Sequence, residues 1–450
     1  MKKLLLLTFL FAPFLVSAQF ISTFAGTGIP GFSGDGGMAT NAQFSQPGSI
    51  VTDAAGNVFV TDMVNHRVRK IDVYGTITTY AGNGNIGSSG DGGLAVNAEF
   101  FGICGLALDN AGNLCIADEL NNRIRRVDAN TGIITTIAGT GAAGFMGDGG
   151  HATASTLHWP GWITYDNSGN LYISDIGNSR IRKVNTSGII TTVVGNGIIG
   201  FYGDGMQGTA ASLNQPHGLA CDADNNLYIA DEHNGRIRKL NTATGVMSTF
   251  AGNGTYVFNG DTISALAAAI TPEGLKFDAA GNLYEADSAN NSTGNRIREI
   301  TTAGIIYTVA GNGIAGYNGE NMHADSALLS GPTDMAFDPC GGLLISDMNN
   351  NRIRRVIYDS ACYALSVRTV ANSNLSIYPN PATNVLHIDG ITTPATYTLF
   401  NAIGAQVQQG ILKPGSNDLL IGTLPEGLYL LQVTDDAGGR VVRKVMKMQL

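Results

Sequence analysis

A repeat with a spacing of 56 to 60 residues runs through most of this 450-residue chain and constrains its fold more than any other feature. In each copy an apolar run ends in Asp and precedes Asn and Arg, as at residues 61–67 (Thr-Asp-Met-Val-Asn-His-Arg). Such a regular period indicates one structural unit that recurs and packs against its neighbours. The repeated aspartates are Asp62, Asp118, Asp175, Asp231, Asp287 and Asp347.

Each copy carries the pattern of four short strands. Residues 216–222 illustrate the first strand, 58–61 the second, 180–183 the third and 188–195 the fourth. The 60 glycines suit the tight turns between such strands, because these turns need positive φ angles that glycine adopts freely. Four antiparallel strands make one blade of a β-propeller, so the sequence predicts an all-β fold.

The number of blades follows from the fourth strands. The first copy, residues 20–26, precedes any complete unit, whereas the last unit, residues 332–358, lacks a fourth strand. The N-terminal strand can therefore complete the last blade and leave no blade edge open. This predicts a six-bladed propeller over residues 19–360. The fourth-strand copies end at Gly26, Gly82, Gly139, Gly195, Gly252 and Gly311.

The N-terminus has the pattern of a secretory signal. Lys2 and Lys3 precede an apolar run over residues 4–16, and small residues follow at a cleavage position, so residues 1–18 are predicted to be removed. No later segment is apolar for long enough to form a transmembrane span. Without the two lysines, 24 basic residues face 35 acidic ones, and this negative balance argues against nucleic acid as a partner.

The repeat resembles a known family. Residues 225–231 (Asn-Asn-Leu-Tyr-Ile-Ala-Asp), followed by Asn-Gly-Arg-Ile-Arg at 234–238, look like the NHL-repeat propellers. The Ala-Gly-Asn-Gly and Gly-Asp-Gly segments resemble the long-repeat variety found in the teneurin NHL module and in many bacterial surface proteins. The resemblance covers residues 20–358 and implies the fold; that fold hosts scaffolds, ligand readers and a few lyases.

Two sets of repeated charges receive structural interpretations. The Asp that ends each second strand is predicted to form an ion pair within its blade, facing the Arg five residues later (nine in blade five) across one turn, as Asp62 faces Arg67. Acids in the insertions between blades are interpreted as N-caps of a short turn, in preference to cation ligands. These acids are Asp35, Asp91, Asp148, Asp204, Asp261 and Glu320.

Three residues near the central channel are candidate metal ligands. His217 and Glu273 follow the first-strand prolines of adjacent blades, and with Asp334 they could hold one divalent ion. The resemblance to NHL-type lyases makes this site the alternative to a protein without a cofactor. No catalytic residue is assigned, since no Ser/His/Asp, Cys/His or phosphate-binding pattern occurs at a credible spacing.

Aromatic residues and cysteines supply further candidates. His158, Trp159 and Trp162 fall in one stretch, where the rings could stack on a sugar or a partner; packing in the core is the favoured interpretation for Trp162. Among five cysteines, Cys340 and Cys362 are predicted to form a disulfide that pins the last blade.

A second domain follows the propeller. Residues 361–374 are interpreted as a linker, and 375–450 alternate as in a small β-sandwich. Three ordered motifs in this region resemble the type A C-terminal sorting domain of the type IX secretion system. The resemblance implies export across the outer membrane, often with attachment to surface lipopolysaccharide. The motif residues are Tyr378, Pro379, Asn380, Pro381, Gly427, Tyr429, Lys444 and Lys447.

The sequence favours a binding protein over an enzyme. We expect a secreted or surface-attached scaffold on a Gram-negative cell, whose propeller binds an extracellular protein or glycan on its loop-rich face. That face carries the insertions between blades and the turns between second and third strands. The alternative function is a metal-dependent lyase or lactonase at the channel mouth.

Overall fold

The computed structural model describes residues 19–288, 294–358, 375–401, 406–435 and 440–448. The chain divides into two compact units, Met1–Tyr358 and Asp359–Leu450. The predicted signal peptide (1–18) and the predicted linker (361–374) lie outside the described residues.

The first unit is a six-bladed β-propeller, as predicted. Each blade has four antiparallel strands in sequence order, except that blade six borrows its fourth strand from the N-terminus. The second strand is buried along its whole length in every blade, which explains the apolar runs of the repeat. The strands are Pro47–Thr52, Val58–Asp62, Arg67–Ile71 and Ile77–Ala81 in blade one; Ile103–Leu108, Leu114–Asp118, Arg123–Val127 and Ile134–Ala138 in blade two; Pro160–Tyr165, Leu171–Asp175, Arg180–Val184 and Ile190–Val194 in blade three; Pro216–Cys221, Leu227–Asp231, Arg236–Asn241 and Val246–Ala251 in blade four; Pro272–Phe277, Leu283–Asp287, Arg296–Ile300 and Ile305–Ala310 in blade five; and Pro332–Phe337, Leu343–Asp347, Arg352–Ile357 and Phe20–Ala25 in blade six.

The N-terminal strand closes the ring. Phe20–Ala25 pairs antiparallel with Arg352–Ile357, with Ile21 opposite Val356, which confirms the predicted closure. Two-residue strands, Ile263–Ser264 and Met322–His323, extend blades five and six at their outer edges. No blade is therefore left with an unpaired fourth strand within the described propeller, and the hazard of open strand edges is reduced.

The six first strands surround a central channel, and apolar residues fill the spaces between blades. One cluster joins Phe59 and Val68 of blade one to Ile103 and Ile116 of blade two. Ten single-turn 3-10 helices lie in the connections of the described residues, at Ala39–Asn41, Ala95–Asn97, Glu119–Asn121, Ala152–Ala154, Ile176–Asn178, Gly208–Ala210, Glu232–Asn234, Ala265–Ala267, Ala324–Ser326 and Met348–Asn350.

The ion pair within a blade, which is present in blades one, two, three, four and six, has a different partner from the one expected. Asp62 Oδ2 contacts Nη1 of Arg69, seven residues on, at 3.3 Å. Arg67, the expected partner, instead donates to the carbonyl oxygens of Asn65 and Asn83 and lies over the ring of Phe32. A pair within the blade is thus present, but the prediction of its arginine was wrong, because the side chain at the start of the third strand is held by loop carbonyls.

The insertion acids are not N-caps. The helix Ala39–Asn41 begins after Met38, without a side-chain capping bond, whereas Asp35 contacts Arg69 Nη2 at 2.7 Å and accepts from Thr79 Oγ1. The N-cap interpretation was wrong because a fully buried guanidinium competes for the same carboxylate. The other insertion acids contact the equivalent arginine of their blades: Asp91 with Arg125, Asp148 with Arg182, Asp204 with Arg238, Asp261 with Arg298 and Glu320 with Arg354.

The second unit is a small β-sandwich with its own apolar core, which includes Leu386, Leu399, Leu431 and Val445. Its alternating strands bury one face and expose the other. One sheet contains Ser376–Tyr378, Val385–Ile391 and Gly415–Leu420, and the other contains Gln406–Leu412, Ala395–Asn401, Gly427–Asp435 and Arg440–Lys447.

Candidate functional site at the channel mouth

The channel mouth on the loop-rich face brings together one histidine and two glutamates. The first strands of blades four and five place His217 and Glu273 at equivalent positions, and Glu232 directly follows the second strand of blade four. One ligand atom from each of the three residues lies within 4.8 Å of the other two. His217 Nδ1 is 3.2 Å from Glu232 Oε2, yet this contact lacks hydrogen-bond geometry, so the nitrogen has no hydrogen-bond partner in the part of the chain that the structure describes.

Asp334, which the sequence grouped with His217 and Glu273, does not join this cluster. Its Oδ2 accepts hydrogen bonds from Ser49 Oγ at 2.7 Å and from the Ile50 amide at 3.0 Å. Asp334 lines the central channel and is bound there to blade one, so its carboxylate is not part of the His217 cluster. Glu232 takes its place in the cluster. Sequence reasoning missed Glu232 because it considered only first strands; the signal was an acid immediately after Asp231.

Burial sets the protonation of the cluster. It raises the pKa of Glu232 to about 7. Burial also raises the pKa of Glu273 to about 8; the hydrogen bond from Ser288 opposes this shift, and the charges of Glu232 and Asp334 add to it. Burial, together with the nearby His233, lowers the pKa of His217 to about 4. At neutral pH the imidazole is therefore uncharged, which leaves a nitrogen lone pair available as a ligand.

Trp162 forms one wall of the mouth. Its side chain is almost fully buried, its Nε1 donates to the carbonyl oxygen of Glu273 at 3.1 Å, and its ring centroid lies 6.2 Å from that of His217. Trp159, in contrast, is 47% exposed and contacts the ring of His158. His158 is not part of the His217 cluster. Of the two tryptophans, Trp159 is the one that a ligand can reach.

A second acidic residue of the same type lies in blade two. Glu119 follows the second strand there, as Glu232 does in blade four, and its Oε2 is 2.9 Å from Cys104 Sγ. Burial raises the pKa of both groups. In blade five the equivalent position holds Ser288, which donates to Glu273. The loop between the second and third strands of blade five is four residues longer than in the other blades. It continues from Ser288 through residues 289–293, which lie outside the described residues.

An apolar rim surrounds the loop-rich face, and the sequence analysis did not identify it. Side chains that are 61–71% exposed occur in the insertion before every blade. The Asn of the turn between strands two and three holds the insertion at this face by a hydrogen bond. Asn65 Nδ2, for example, donates to the carbonyl oxygen of Gly31 at 2.8 Å. The signal was an isoleucine directly after Gly-x-Gly in three of the six insertions, at Ile29, Ile198 and Ile314. The rim consists of Ile29, Ile86, Met146, Ile198, Ile199, Val257 and Ile314.

The sorting motifs are adjacent within the second unit. Asn380 Oδ1 accepts from the Met446 amide at 2.9 Å, and Gly427 pairs with Lys447 across neighbouring strands. Tyr429 donates to the carbonyl oxygen of Pro425. Three motifs that are far apart in sequence therefore meet on the final strand, where Lys444 lies opposite Leu430. Both peptide bonds that precede Pro379 and Pro381 are cis, and Tyr378 donates to Asp389.

Of the two cysteines in the predicted disulfide, the structure describes one. Cys340 is disulfide-bonded, whereas Cys104, Cys115 and Cys221 are free. Its predicted partner, Cys362, lies outside the described residues.

Comparison with protein families agrees with this architecture. Residues 376–448 match the secretion system C-terminal sorting domain, residues 141–199 match the teneurin NHL domain, and residues 213–240 match the NHL repeat. The chain is an NHL-repeat propeller with a C-terminal sorting domain. The sorting domain is of the type IX class, which indicates export and an interaction with the secretion machinery. Among the described residues of this NHL propeller protein, no helix is long and apolar enough to cross a bilayer.

Two relatives illustrate the relationship. Teneurin-1 of Homo sapiens is 30% identical over 243 residues, which is 48% of this chain and 8% of that protein. SUPPRESSOR OF QUENCHING 1 of Arabidopsis thaliana is 28% identical over 330 residues, which is 69% of this chain and 30% of that protein. The NHL propeller protein thus spans less than a third of either relative.

Among solved structures, an auxiliary nutrient binding protein from Bacteroides thetaiotaomicron aligns with a TM-score of 0.56 at 16% identity. The alignment covers 75% of this chain and 76% of that chain. At this identity the likeness shows the fold alone.

Proposed function

We propose that the NHL propeller binds an extracellular partner on its loop-rich face, after the sorting domain has exported it to the cell surface or the medium. The apolar rim is the observation that carries this proposal. A large exposed apolar surface on one face of a soluble protein often marks a binding site. Covering one such side chain contributes on the order of 1–2 kcal/mol, so a partner that covers several gains enough for specific binding.

The composition of the rim favours a protein over a glycan. Its members are aliphatic, as with Ile29, Ile198 and Ile314, and aliphatic side chains offer no flat ring on which a sugar can stack. Exposed aromatic rings also occur in the insertions, outside the rim as defined, among them Trp159, Phe201 and Tyr202. We therefore expect Trp159 to contribute to either class of ligand, and the isoleucines to contribute mainly to a protein partner.

Binding to intact bacterial cells tests this proposal. Labelled propeller protein is applied to a panel of cells, with and without protease treatment of the cell surface, and to a glycan array. The double variant Ile198→Ser/Ile199→Ser should lose most binding, whereas Val73→Ser, an exposed apolar residue in the turn between strands three and four, should retain it. Protease treatment should abolish binding. Binding that survives the double variant would remove the rim as the site.

A second candidate function is a metal-dependent lyase or lactonase at the mouth. The observation in its favour is the cluster of His217, Glu232 and Glu273, since a neutral imidazole and two carboxyl groups form a donor set for a divalent ion once the carboxyl groups have released their protons. These residues would hold the ion, which would act as a Lewis acid toward a carbonyl oxygen. Trp162 would exclude water on one side, and Ser288 would orient Glu273.

Metal analysis distinguishes the two functions. The purified protein is incubated with Mn²⁺ or Zn²⁺, dialysed and analysed for metal content by mass spectrometry. One bound ion that is lost in His217→Ala but kept in His233→Ala would support the enzyme, particularly together with lactone hydrolysis. A protein that retains no ion leaves the binding function as the better proposal.

A further inference from the structure

The opposite face of the propeller contains a cavity of about 590 Å³ between blades five and six. Aromatic residues line it, namely Phe277 and Tyr284 of blade five, and Phe337 and Tyr358 of blade six. The rings of Tyr284 and Phe337 meet edge to face, with centroids 5.1 Å apart. A volume of this size is typical of sites that hold a small organic ligand.

Lys276 and Thr52 connect this cavity with the central channel. Both residues also line the channel cavity of about 280 Å³. Lys276 is the exception at its position in the first strand, because the other five blades carry Val51, Ala107, Thr164, Ala220 and Ala336 there. A lysine at a position that otherwise holds small or apolar residues is not required by the repeat, and therefore calls for a specific explanation.

The donors of these two side chains are unused. Among the described residues, Lys276 forms no hydrogen bond or ion pair, although it lies near enough to Asp334 to lower the pKa of that carboxyl group, which burial raises overall. The Thr52 hydroxyl is buried without a hydrogen-bond partner. A half-buried ammonium group and a buried hydroxyl group both gain free energy from an acceptor.

The acidic groups around the cavity are already occupied. Asp278 accepts hydrogen bonds from the amides of Ala280 and Asn282, and Asp338 accepts two from Arg355, the shorter at 2.6 Å. Asp334 is bound by Ser49 and Ile50. Among the described charged side chains around the cavity, Lys276 is therefore the one without a hydrogen-bonded partner.

We propose that this cavity binds a small organic carboxylate whose body presents a flat surface of C–H groups, such as an acidic sugar. The carboxylate would accept from Lys276 Nζ and Thr52 Oγ1, and the body would lie against Phe277 and Phe337. One lysine with one hydroxyl matches a monoanion; phosphate sites usually draw on arginines or several backbone amides. This site is distinct from the loop-rich face, so the proposal does not depend on the function assigned to that face.

A matched pair of probes tests the proposal. Phenyl β-D-glucuronide and phenyl β-D-glucoside differ only at C6, which is a carboxylate in the first and a hydroxymethyl group in the second. Calorimetric titration of the full chain compares their affinities. We expect the glucuronide to bind at least about tenfold more tightly, because a partly desolvated lysine–carboxylate hydrogen bond is charge-assisted. The preference should weaken at high salt.

Variants test whether Lys276 causes the preference for the glucuronide over the glucoside. Lys276→Ala should abolish it, and the protein should still fold because three other blades carry Ala at this position. Lys276→Arg should retain it, as should Lys70→Ala, a control on the third strand of blade one. Equal affinity for the two probes, no saturable binding of the glucuronide, or a preference that survives in Lys276→Ala would overturn the proposal.

Discussion

Asp62 and Arg69 place opposite charges side by side in the interior of blade one, with Oδ2 and Nη1 3.3 Å apart and both side chains fully excluded from solvent. Asp35, from the preceding insertion, holds the other end of the same guanidinium group. Two buried charges offset their desolvation only when their hydrogen bonds are satisfied. The arginine therefore fastens the insertion to the blade, and its loss should affect both.

Blade three allows this role to be measured with a matched control. Arg182→Met leaves the carboxylates of Asp148 and Asp175 without their cation and should lower the free energy of unfolding by about 3–5 kcal/mol. Arg180→Met, which loses only bonds to loop carbonyls and a ring contact, should lower it by about 1 kcal/mol. Denaturant titration monitored by tryptophan fluorescence compares them. Equal effects of the two variants would contradict the role of the buried guanidinium.

Asp148 should contribute to stability in a pH-dependent manner. Burial alone would raise its pKa, but hydrogen bonds from Thr192 and Arg182, together with the charge of Arg182, hold the pKa below its usual value of 3.8. The folded state thus favours the ionised form, so the contribution is present above that value and is lost as the pH falls below it.

The difference in melting temperature between the wild type and Asp148→Asn should accordingly stay constant from neutral pH down to about pH 4 and narrow as the pH falls further. Asp224→Asn, at an exposed turn residue, should follow the wild type throughout. A melting-temperature difference that does not narrow in acid would show that Asp148→Asn destabilises the protein through lost packing alone, without a contribution from the carboxylate charge.

Closure by the N-terminal strand predicts a contrast between neighbouring residues. Ile21 is fully buried, whereas Phe20 is 43% exposed. Ile21→Ser should destabilise the propeller by about 2–4 kcal/mol, because it removes buried apolar atoms and places a hydroxyl group in the core. Phe20→Ser should have a smaller effect. Thermal melting and limited proteolysis near the N-terminus measure both; unchanged protection in Ile21→Ser would contradict closure.

Removal of residues 375–450 should separate folding from export. The propeller is a compact unit with its own core, so the truncated protein should fold and accumulate in the periplasm instead of reaching the cell surface. Cell fractionation and surface labelling measure its location, with Ile411→Ser, at an exposed residue of the sorting domain, as the control. Surface display without residues 375–450 would refute the sorting role.

The disulfide of Cys340 can be counted. If its partner is Cys362, denatured protein should show three reactive thiols before reduction and five afterwards, matching the free cysteines and the total. Equal counts before and after reduction would contradict the disulfide. Peptide mapping identifies the partner.

The sequence predicted the blade number, the closure and the sorting domain because each is encoded redundantly. Six copies of one pattern indicate six blades even when individual residues differ between the copies. It did not predict that Asp35 binds Arg69, or that Glu232 joins His217. These contacts depend on the direction of side chains from separate segments, and a periodic pattern gives the position of a residue in a strand but not its partner across a loop.

The pairing of Ile21 with Val356 has a consequence for biosynthesis. The ribosome makes the leading strand first, yet its hydrogen-bonding partner is among the last parts of the propeller to emerge. The nascent polypeptide therefore cannot complete its ring until nearly all of this region has been translated, and until then both the leading segment and the unfinished last blade need protection from wrong associations.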